Sequence, residues 1–474
     1  VGMVYPENIP AQDALRFLGR QGNFKYEIFL LTITDFNKLL KQHRTLKGEA
    51  EKALAEIEKT RKETGEVEEM ESISITGGEA PIIKMVFAIL RHALEANASD
   101  IHIEPGKDKL RVRFRVDGVL ASNLFLPLSV HSSIIARIKI LTNLKIDETR
   151  VPQDGRFSAK IGEKDIDFRV ATYPTLFGEK VAIRILDPSG GLKSYEELGL
   201  SHRNFETIKE AIKKPHGMIL ATGPTGSGKT TTLYALLRLL NNESVNIVTI
   251  EDPIEYSILG VNQSQVKPEI GYSFAEGLRQ ILRQDPNVIM VGEVRDDETA
   301  NLVTHAALTG HIVLSTLHTN SAIGVIPRLI DMGVKQFLLP YTLRVIISQR
   351  LVRLLCPKCK KKVLINEKIK AFIQERIKSM PPYAKKDIKN DFSIYESKGC
   401  EKCGMKGYLG RVGLYEVLSI TDELKDVIFK SPSEEQVSKA AKKQGMLTME
   451  QEGILKVLSG ETTLAEVSRV TEEK

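Results

Sequence analysis

Tryptophan is absent from this chain of 474 residues, and aromatic residues together make up only 6%. Sequence-tolerant binding of single-stranded nucleic acid needs aromatic platforms beside long basic tracts, and no such tract is present. The charge excess is small: 67 Lys and Arg against 61 Asp and Glu give +6, with a pI of about 8.8. A nucleic-acid protein usually carries a stronger and more clustered excess. No nucleic-acid partner is therefore expected, while a weak affinity for anionic lipid stays open. No apolar run approaches the roughly 20 residues that cross a bilayer. Val1–Leu18 contains Pro6, Glu7, Pro10 and Asp13 and holds no signal-peptide core. The chain opens with Val-Gly rather than Met, so we expect a truncated or processed start, and the missing part could amount to a whole domain. Cysteine is scarce as well. The four present form two Cys-x-x-Cys pairs, which in a chain without a signal peptide points to metal rather than to a disulfide framework.

What is there is ordinary globular composition, 42% apolar and 27% charged. Several real cores can form, and wholesale disorder is excluded. At roughly 100–200 residues each, about three domains fit the length. Residues 1–45 read as a small fragment of mixed pattern. Over 46–76, Leu46, Ala50, Ala53, Leu54 and Ile57 recur at helical spacing among Lys and Glu. This reads as a solvated helix followed by a linker. An α+β domain is expected over 77–188. Ile82, Ile83, Val86, Ile89, Leu90 and Ala93 form one helical face. Leu110, Val112, Phe114 and Val116 alternate with Arg111, Arg113 and Arg115 in a half-buried strand, and Asp117-Gly118 marks a hairpin. Pro188-Ser189-Gly190-Gly191 reads as a hinge. Over 189–355, short apolar runs (Met218–Ala221, Val245–Ile250, Val288–Val291, Ile312–Ser315) alternate with helical stretches. That predicts βαβ units and a parallel sheet. A polar, cysteine-bounded segment follows over 356–411, and short helices over 412–474. No internal repeat is visible.

The sharpest motif is Gly223, Pro224, Thr225, Gly226, Ser227, Gly228, Lys229 and Thr230, which fits G-x-x-x-x-G-K-[ST] without a gap. An apolar strand precedes it and a helical stretch from Thr231 follows, the context the motif requires. The glycines let backbone N–H groups turn inward around phosphates, and the helix N-terminus adds partial positive charge. Lys229 can reach the β- and γ-phosphates, and Thr230 can bind Mg²⁺. A second acidic site, Glu251, Asp252 and Glu255, stands at the end of a strand, where an open α/β sheet presents its ligand crevice. These carboxylates could hold Mg²⁺ or orient water; the bland alternative is a polar strand end. The apolar strand Val288–Val291 ends in Gly292-Glu293, which resembles a Walker B element. Glu293 could polarise the attacking water. His311 and His318 flank the run Ile312–Ser315. A lone His is usually structural, but an imidazole here could sense the γ-phosphate or relay to a neighbouring site.

Cys356, Cys359, Cys400 and Cys403 give two knuckles that could share one tetrahedral Zn²⁺ with no position left for water. An iron–sulfur cluster is the alternative for four thiolates.

Taken together these residues resemble the secretion ATPase superfamily, which drives type IV pilus assembly and type II secretion. The matching blocks are Ala98–Pro105 (ASDIHIEP), Arg150–Arg156 (RVPQDGR), the phosphate loop, Thr249–Glu255 (TIEDPIE), Gly277–Pro286 (GLRQILRQDP), the Walker B block, Thr309–Thr319, and both cysteine pairs. The resemblance implies a cytoplasmic homo-hexamer of RecA-like P-loop domains, peripheral to the inner membrane. Each is linked to a PAS-like α+β domain, with a small zinc-binding insert, and residues 1–45 stand as the tail of an N-terminal domain. It implies ATP held between the two domains, with Arg156 and Arg169 of the smaller domain and Arg279 and Arg283 of the motor domain reaching the phosphates. Arg111, Arg113 and Arg115 read instead as a solvated or subunit-facing stripe. The implied partners are platform and docking proteins of the machine. Within the family, the cysteine segment favours an assembly or secretion motor over a retraction motor. The 40 residues between Cys359 and Cys400 look more like a pilus-assembly member. A type II secretion ATPase is the rival, and a DNA translocase a distant one. A catalytically dead scaffold disagrees with the intact Lys229 and Glu293.

Overall fold

The computed structural model describes residues 1–22, 26–33, 46–64, 81–162, 164–186, 195–363, 365–386, 388, 393–430 and 433–472. The expected linker after residue 64 and the hinge Pro188–Gly191 lie outside the described residues. Two compact units result, Val1–Asp187 and Pro188–Lys474.

In the first unit, β1 (Gly2–Met3) and β2 (Phe29–Leu30) make a short parallel pairing around the helix Ile9–Gly22. The body of the unit is an antiparallel sheet of β3 (Ala98–Pro105), β4 (Lys109–Val116), β5 (Val119–Pro127), β6 (Gln153–Ile161), β7 (Lys164–Thr175) and β8 (Gly178–Leu186), in the order β5-β4-β3-β8-β7-β6. Its alternation works as the pattern predicts. Leu110, Val112 and Phe114 are buried while Arg111 faces solvent. Asp117 and Gly118 both take positive φ (51° and 83°), the geometry of a tight primed hairpin. The buried sheet face packs on the helices Pro81–Glu95 and His131–Leu141. The helix Leu46–Thr64 differs from expectation. It is not fully solvated: Ala50 and Ala53 are buried, and Leu54 and Ile57 pack on the same core. Arg91 pairs with its Glu49, and Lys84 with its Glu56 at 3.1 Å. Small alanines let this helix lie close on Pro81–Glu95.

The second unit is built on a seven-stranded sheet. Its strands are β9 (Gly217–Thr222), β10 (Ile247–Glu251), β11 (Asn262–Gln265), β12 (Val288–Val291), β13 (Ile312–Leu317), β14 (Leu343–Leu355) and β17 (Tyr408–Ser419), in the order β11-β10-β12-β13-β9-β14-β17. All pairings are parallel except β14–β17. Both faces are covered, which is why the strands read as continuous apolar runs. Met218 and Leu220 enter one core with the helices Phe274–Ile281 and Asp297–Leu308, and Ile219 and Ala221 enter another with His202–Ile212 and Lys229–Leu240. The strand β17 crosses the expected boundary at 411/412 and completes the motor sheet. Between β14 and β17 lie the hairpin β15 (Lys360–Val363) with β16 (Ile394–Ser397) and the helix Glu367–Ser379. Helices follow at Asp422–Phe429, Glu434–Lys443, Met449–Leu458 and Leu464–Thr471, each opened by a Thr or Ser whose hydroxyl accepts an N–H of the first turn.

The last helix is fastened by one carboxylate. Glu466 accepts from the Arg353 N–H at 3.1 Å and its Nη2 at 2.6 Å, and from Arg469 Nε at 3.1 Å and Nη2 at 2.8 Å. Burial alone would raise its pKa, but the donors of Arg353 and Arg469 outweigh burial and hold the carboxyl down to about 2. A group whose folded pKa lies below its unfolded value of about 4.3 stabilises above that value and loses the contribution as pH falls. Glu466→Gln is therefore expected to cost roughly 1–3 kcal/mol at pH 7. In urea melts the gap to wild type should narrow as pH falls from about 4.5 toward 2. A gap that ignores pH would refute the assignment.

Candidate nucleotide site

The phosphate loop joins β9 to the helix Lys229–Leu240. Two glycines are needed for its shape. At Gly223 (φ 141°) a Cβ would sit 2.5 Å from the Gln349 carbonyl oxygen, and Gly228 caps the helix with φ 90°. The N–H groups of the first helical turn are therefore aimed at the loop, a ready anion site. Lys229 Nζ donates to the carbonyls of Gly223 (2.8 Å) and Pro224 (3.2 Å). Burial lowers its pKa, the Glu293 carboxylate opposes that, and the Arg350 charge adds to it. Among the described residues, the buried Ser227 Oγ has no hydrogen-bond partner. Thr230 and Thr231 are half-buried in the first turn, and Pro224, Thr225 and Gly226 are exposed. A loop with inward N–H groups, a cation and an unpartnered hydroxyl fits a bound polyphosphate.

The structure brings Glu293, His318, Arg295 and Asp252 together at the same edge of the sheet. Arg295 Nη2 lies 2.5 Å from Glu293 Oε1, and His318 Nε2 lies 3.3 Å from Oε2. Arg295 also approaches Asp252 at 3.9 Å. Glu251 is different. It is buried, and its carboxylate accepts from Thr249 Oγ1 (2.6 Å), Gln263 Nε2 (3.1 Å) and the Tyr234 hydroxyl. Burial raises its pKa against these bonds. The Glu255 N–H donates to the same Tyr234 oxygen at 3.3 Å.

Within the second unit, His311, Arg279 and Arg283 are not brought to the loop. His311 precedes β13, and Ile312 pairs with Gly217, at the start of β9, while the phosphate loop follows its end. Its Nδ1 lies 2.9 Å from the Ala306 carbonyl, at the C-terminus of the helix Asp297–Leu308. His311 thus stands at the opposite edge of the sheet. Arg279 is exposed and pairs with Glu276 at 3.3 Å and with Glu298. Arg283 is exposed just past the helix Phe274–Ile281. Arg156 and Arg169 stand directly opposite each other on β6 and β7 of the first unit, with Arg184 of β8 opposite Arg169.

Sequence reasoning missed the residues that fix the loop. Gln349 Nε2 donates to the Ser227 carbonyl at 2.7 Å. Thr222 Oγ1 accepts from the Thr319 N–H at 2.8 Å and donates toward the Leu317 and Thr319 carbonyls at 3.1 Å. Arg350 lies beside Gly223. None belongs to a short motif. Their only signal is that β9 must have neighbours on both sides.

The four cysteines cluster, with all Sγ atoms within 4.8 Å of one another. Three Sγ pairs, Cys356–Cys400, Cys359–Cys403 and Cys400–Cys403, are 3.8 Å apart. A tetrahedral site with Zn–S of about 2.3 Å has sulfur edges of roughly 3.8 Å, so the donor set fits one Zn²⁺. Cys403 Sγ also accepts N–H bonds from Cys400 (3.1 Å) and Gly407 (3.2 Å), which favour a thiolate.

A family model described as Type II/IV secretion system protein matches residues 76–469. The type IV pilus assembly ATPase PilB of Myxococcus xanthus is 42% identical over 473 residues, covering 98% of this chain and 81% of its own length. The type II secretion system protein E of Pseudomonas aeruginosa is 45% identical over 409 residues, covering 86% of this chain and 79% of its own. Among solved structures, the pilus retraction motor PilT with bound ADP shares the fold with a TM-score of 0.55 at 28% identity, covering 82% of this chain and 97% of that one. The chain is an ATP hydrolase of α/β fold. It belongs to the Type II/IV secretion system protein family.

Proposed function

We propose that this ATP hydrolase powers type IV pilus assembly, coupling hydrolysis to the addition of pilin subunits through an inner-membrane platform protein. The observation that carries this reading is reach. The PilB relative aligns with 98% of the chain, which cannot leave out the whole of residues 1–45, whereas the protein E relative aligns with 86%. The higher identity of the latter, 45% against 42%, favours the second reading, a type II secretion ATPase. In either machine the chain acts as a hexamer at the cytoplasmic face of the inner membrane, docked through partners.

In this reading Lys229 and the loop N–H groups hold the β- and γ-phosphates. Thr230 and Asp252 are the better ligands for Mg²⁺, because three protein donors already occupy Glu251. Mg²⁺, when bound, neutralises charge on the phosphates. Glu293 orients the attacking water and accepts its proton, held in place by Arg295 and His318. Planar guanidinium groups suit the charge of the transferring phosphoryl group. We assign that role to Arg156 and Arg169, with Arg279 and Arg283 serving at subunit contacts, and leave His311 out. Cys356, Cys359, Cys400 and Cys403 hold one structural Zn²⁺.

Lys229→Ala should lose Mg²⁺-ATPase activity by roughly 10²-fold or more. Glu293→Gln should bind ATP yet hydrolyse it as slowly, and a wild-type turnover rate in that variant would remove the catalytic assignment. Removing both Arg156 and Arg169 should depress kcat by on the order of 10³-fold with the melting temperature unchanged. Protein purified without chelator should contain about one zinc per chain, lost together with protease resistance of 356–407 in a Cys356→Ser/Cys359→Ser variant; metal-free protein with that segment intact would argue otherwise. Deleting the gene in its host separates the machines. Loss of surface pili with normal export supports the pilus reading, and periplasmic retention of exported proteins with normal pili overturns it.

A further inference from the structure

The motif residues do not account for every cation at the phosphate loop. Arg350 lies in the middle of β14, the strand paired with β9 on the side away from β13, two residues beyond Ser348, whose partner Thr222 ends β9. It is half-buried, and its side chain passes over the end of β9. Nη1 donates to the Gln349 carbonyl at 3.2 Å and Nη2 to the Asn320 carbonyl at 3.0 Å. Asn320 belongs to the loop that also carries His318, the partner of Glu293. A Cβ on Gly223 would meet Arg350 Nη1 at 3.2 Å, so the guanidinium borders the first residue of the phosphate loop. The Lys229 ammonium sits 2.8 Å from the carbonyl of that same glycine.

Two cations thus share one small, partly desolvated space. Among the described residues neither has a carboxylate within 4.0 Å. Glu416 acts on Arg350 only from a distance, since its carboxylate is used by the Ala322 N–H (3.2 Å) and the Met449 N–H (3.0 Å). Burying like charges together is costly unless an anion joins them. Among the described residues the guanidinium fork has no acceptor besides the Gln349 and Asn320 carbonyls, and a fork of this kind matches phosphate oxygens. The loop amides and the helix N-terminus serve the inner phosphates. Arg350 reaches instead from β14 toward the His318 loop, where the terminal phosphate must face Glu293.

We propose that Arg350 is a second cation of the phosphate site, supplied by the same chain, which binds the terminal phosphate of ATP beside Lys229. This rests on the phosphate-loop reading above. It differs from a purely structural role, in which Arg350 only ties Asn320 to β14. A structural tie would affect every nucleotide alike, whereas a terminal-phosphate contact distinguishes ATP from ADP.

The test compares binding of Mg²⁺ with a non-hydrolysable ATP analogue and with ADP, in wild type, Arg350→Gln, Arg350→Lys and Lys229→Ala. A charge-assisted bond is worth about 1.5–3 kcal/mol, or roughly 10- to 100-fold in Kd. Arg350→Gln should weaken the analogue by that factor and ADP by less than about 3-fold, and Arg350→Lys should recover part of the loss. An analogue-to-ADP ratio within about 2-fold of wild type overturns the proposal. If Arg350→Gln fails to fold, Arg350→Lys decides: its geometry cannot reproduce the fork, so the same ratio should fall, and an unchanged ratio refutes the assignment. Lys229→Ala serves as the reference. Should it bind both nucleotides normally, the phosphate-loop reading itself fails. Should it lose both while the Arg350 variants keep the wild-type ratio, only the present inference fails.

Discussion

A phosphate loop works only while its backbone amides keep one shape, and in this chain that shape depends on β9 being held from both sides. On one side, the side chain of Thr222 accepts the Thr319 N–H, so the end of β9 is fixed to the loop after β13. On the other, the Gln349 amide of β14 holds the Ser227 carbonyl. Ser227 O therefore points away from the space the loop surrounds, and the N–H groups face inward. Parallel pairing does the rest. Because β9, β10, β12 and β13 run the same way, Thr222, Glu251, Val291 and Leu317 all end at one edge, and the residues that follow each of them converge there. Lys229, Asp252, Glu293 and His318 come from four separate stretches of chain, and the register of the sheet brings them together.

That dependence explains which parts of the site could be read in advance. The glycines, Lys229 and Thr230 belong to a local motif, and local geometry was enough. Glu293 was legible because an apolar strand ending in a carboxylate has a direction. The same logic, applied strictly, would have separated the two histidines. In a parallel sheet only residues after a strand reach the ligand edge. His318 follows β13 and His311 precedes it, so the pattern that suggested both supports one. Gln349 and Arg350 could not be found this way. They lie about 120 residues from the loop and touch it only because β14 pairs with β9, a pairing that no spacing encodes. The helix Leu46–Thr64 was misread for a related reason. The fully buried part of its apolar face is two alanines, Ala50 and Ala53, whose small surface makes a helix look solvated until a close-packed partner is in place.

Glu251 and Glu293 illustrate how environment divides labour between like residues. Both end strands at the same edge. Glu251 is enclosed by Tyr234, Thr249 and Gln263, and burial raises its pKa. Tyr234 lies on the helix that begins with Lys229, so its bond to Glu251 fastens that helix to β10. A fully used carboxylate of this kind positions its neighbours well and coordinates poorly. Glu293 is held by two cationic or dual-role partners, Arg295 and His318, that can exchange protein contacts for substrate contacts. A carboxylate with movable partners is the one suited to handle a proton.

The cysteine cluster bears on this site through β14. Cys356 directly follows that strand, and Cys403 closely precedes β17, its antiparallel partner. The chain between them is a long insertion, and closing a long connection costs more entropy than closing a hairpin turn. The pairing Leu355–Tyr408 sits at the open end of the β14–β17 ladder, where fraying would begin. A metal shared by Cys356, Cys359, Cys400 and Cys403 would join the two chain ends at that point and shorten the effective connection between the strands. Arg350 and Gln349 lie on the same strand, within the stretch that this ladder holds. Since β17 has no strand beside it other than β14 among the described residues, the register of β14 at the phosphate loop rests on its pairing with β9 at one margin and on the β14–β17 ladder at the other.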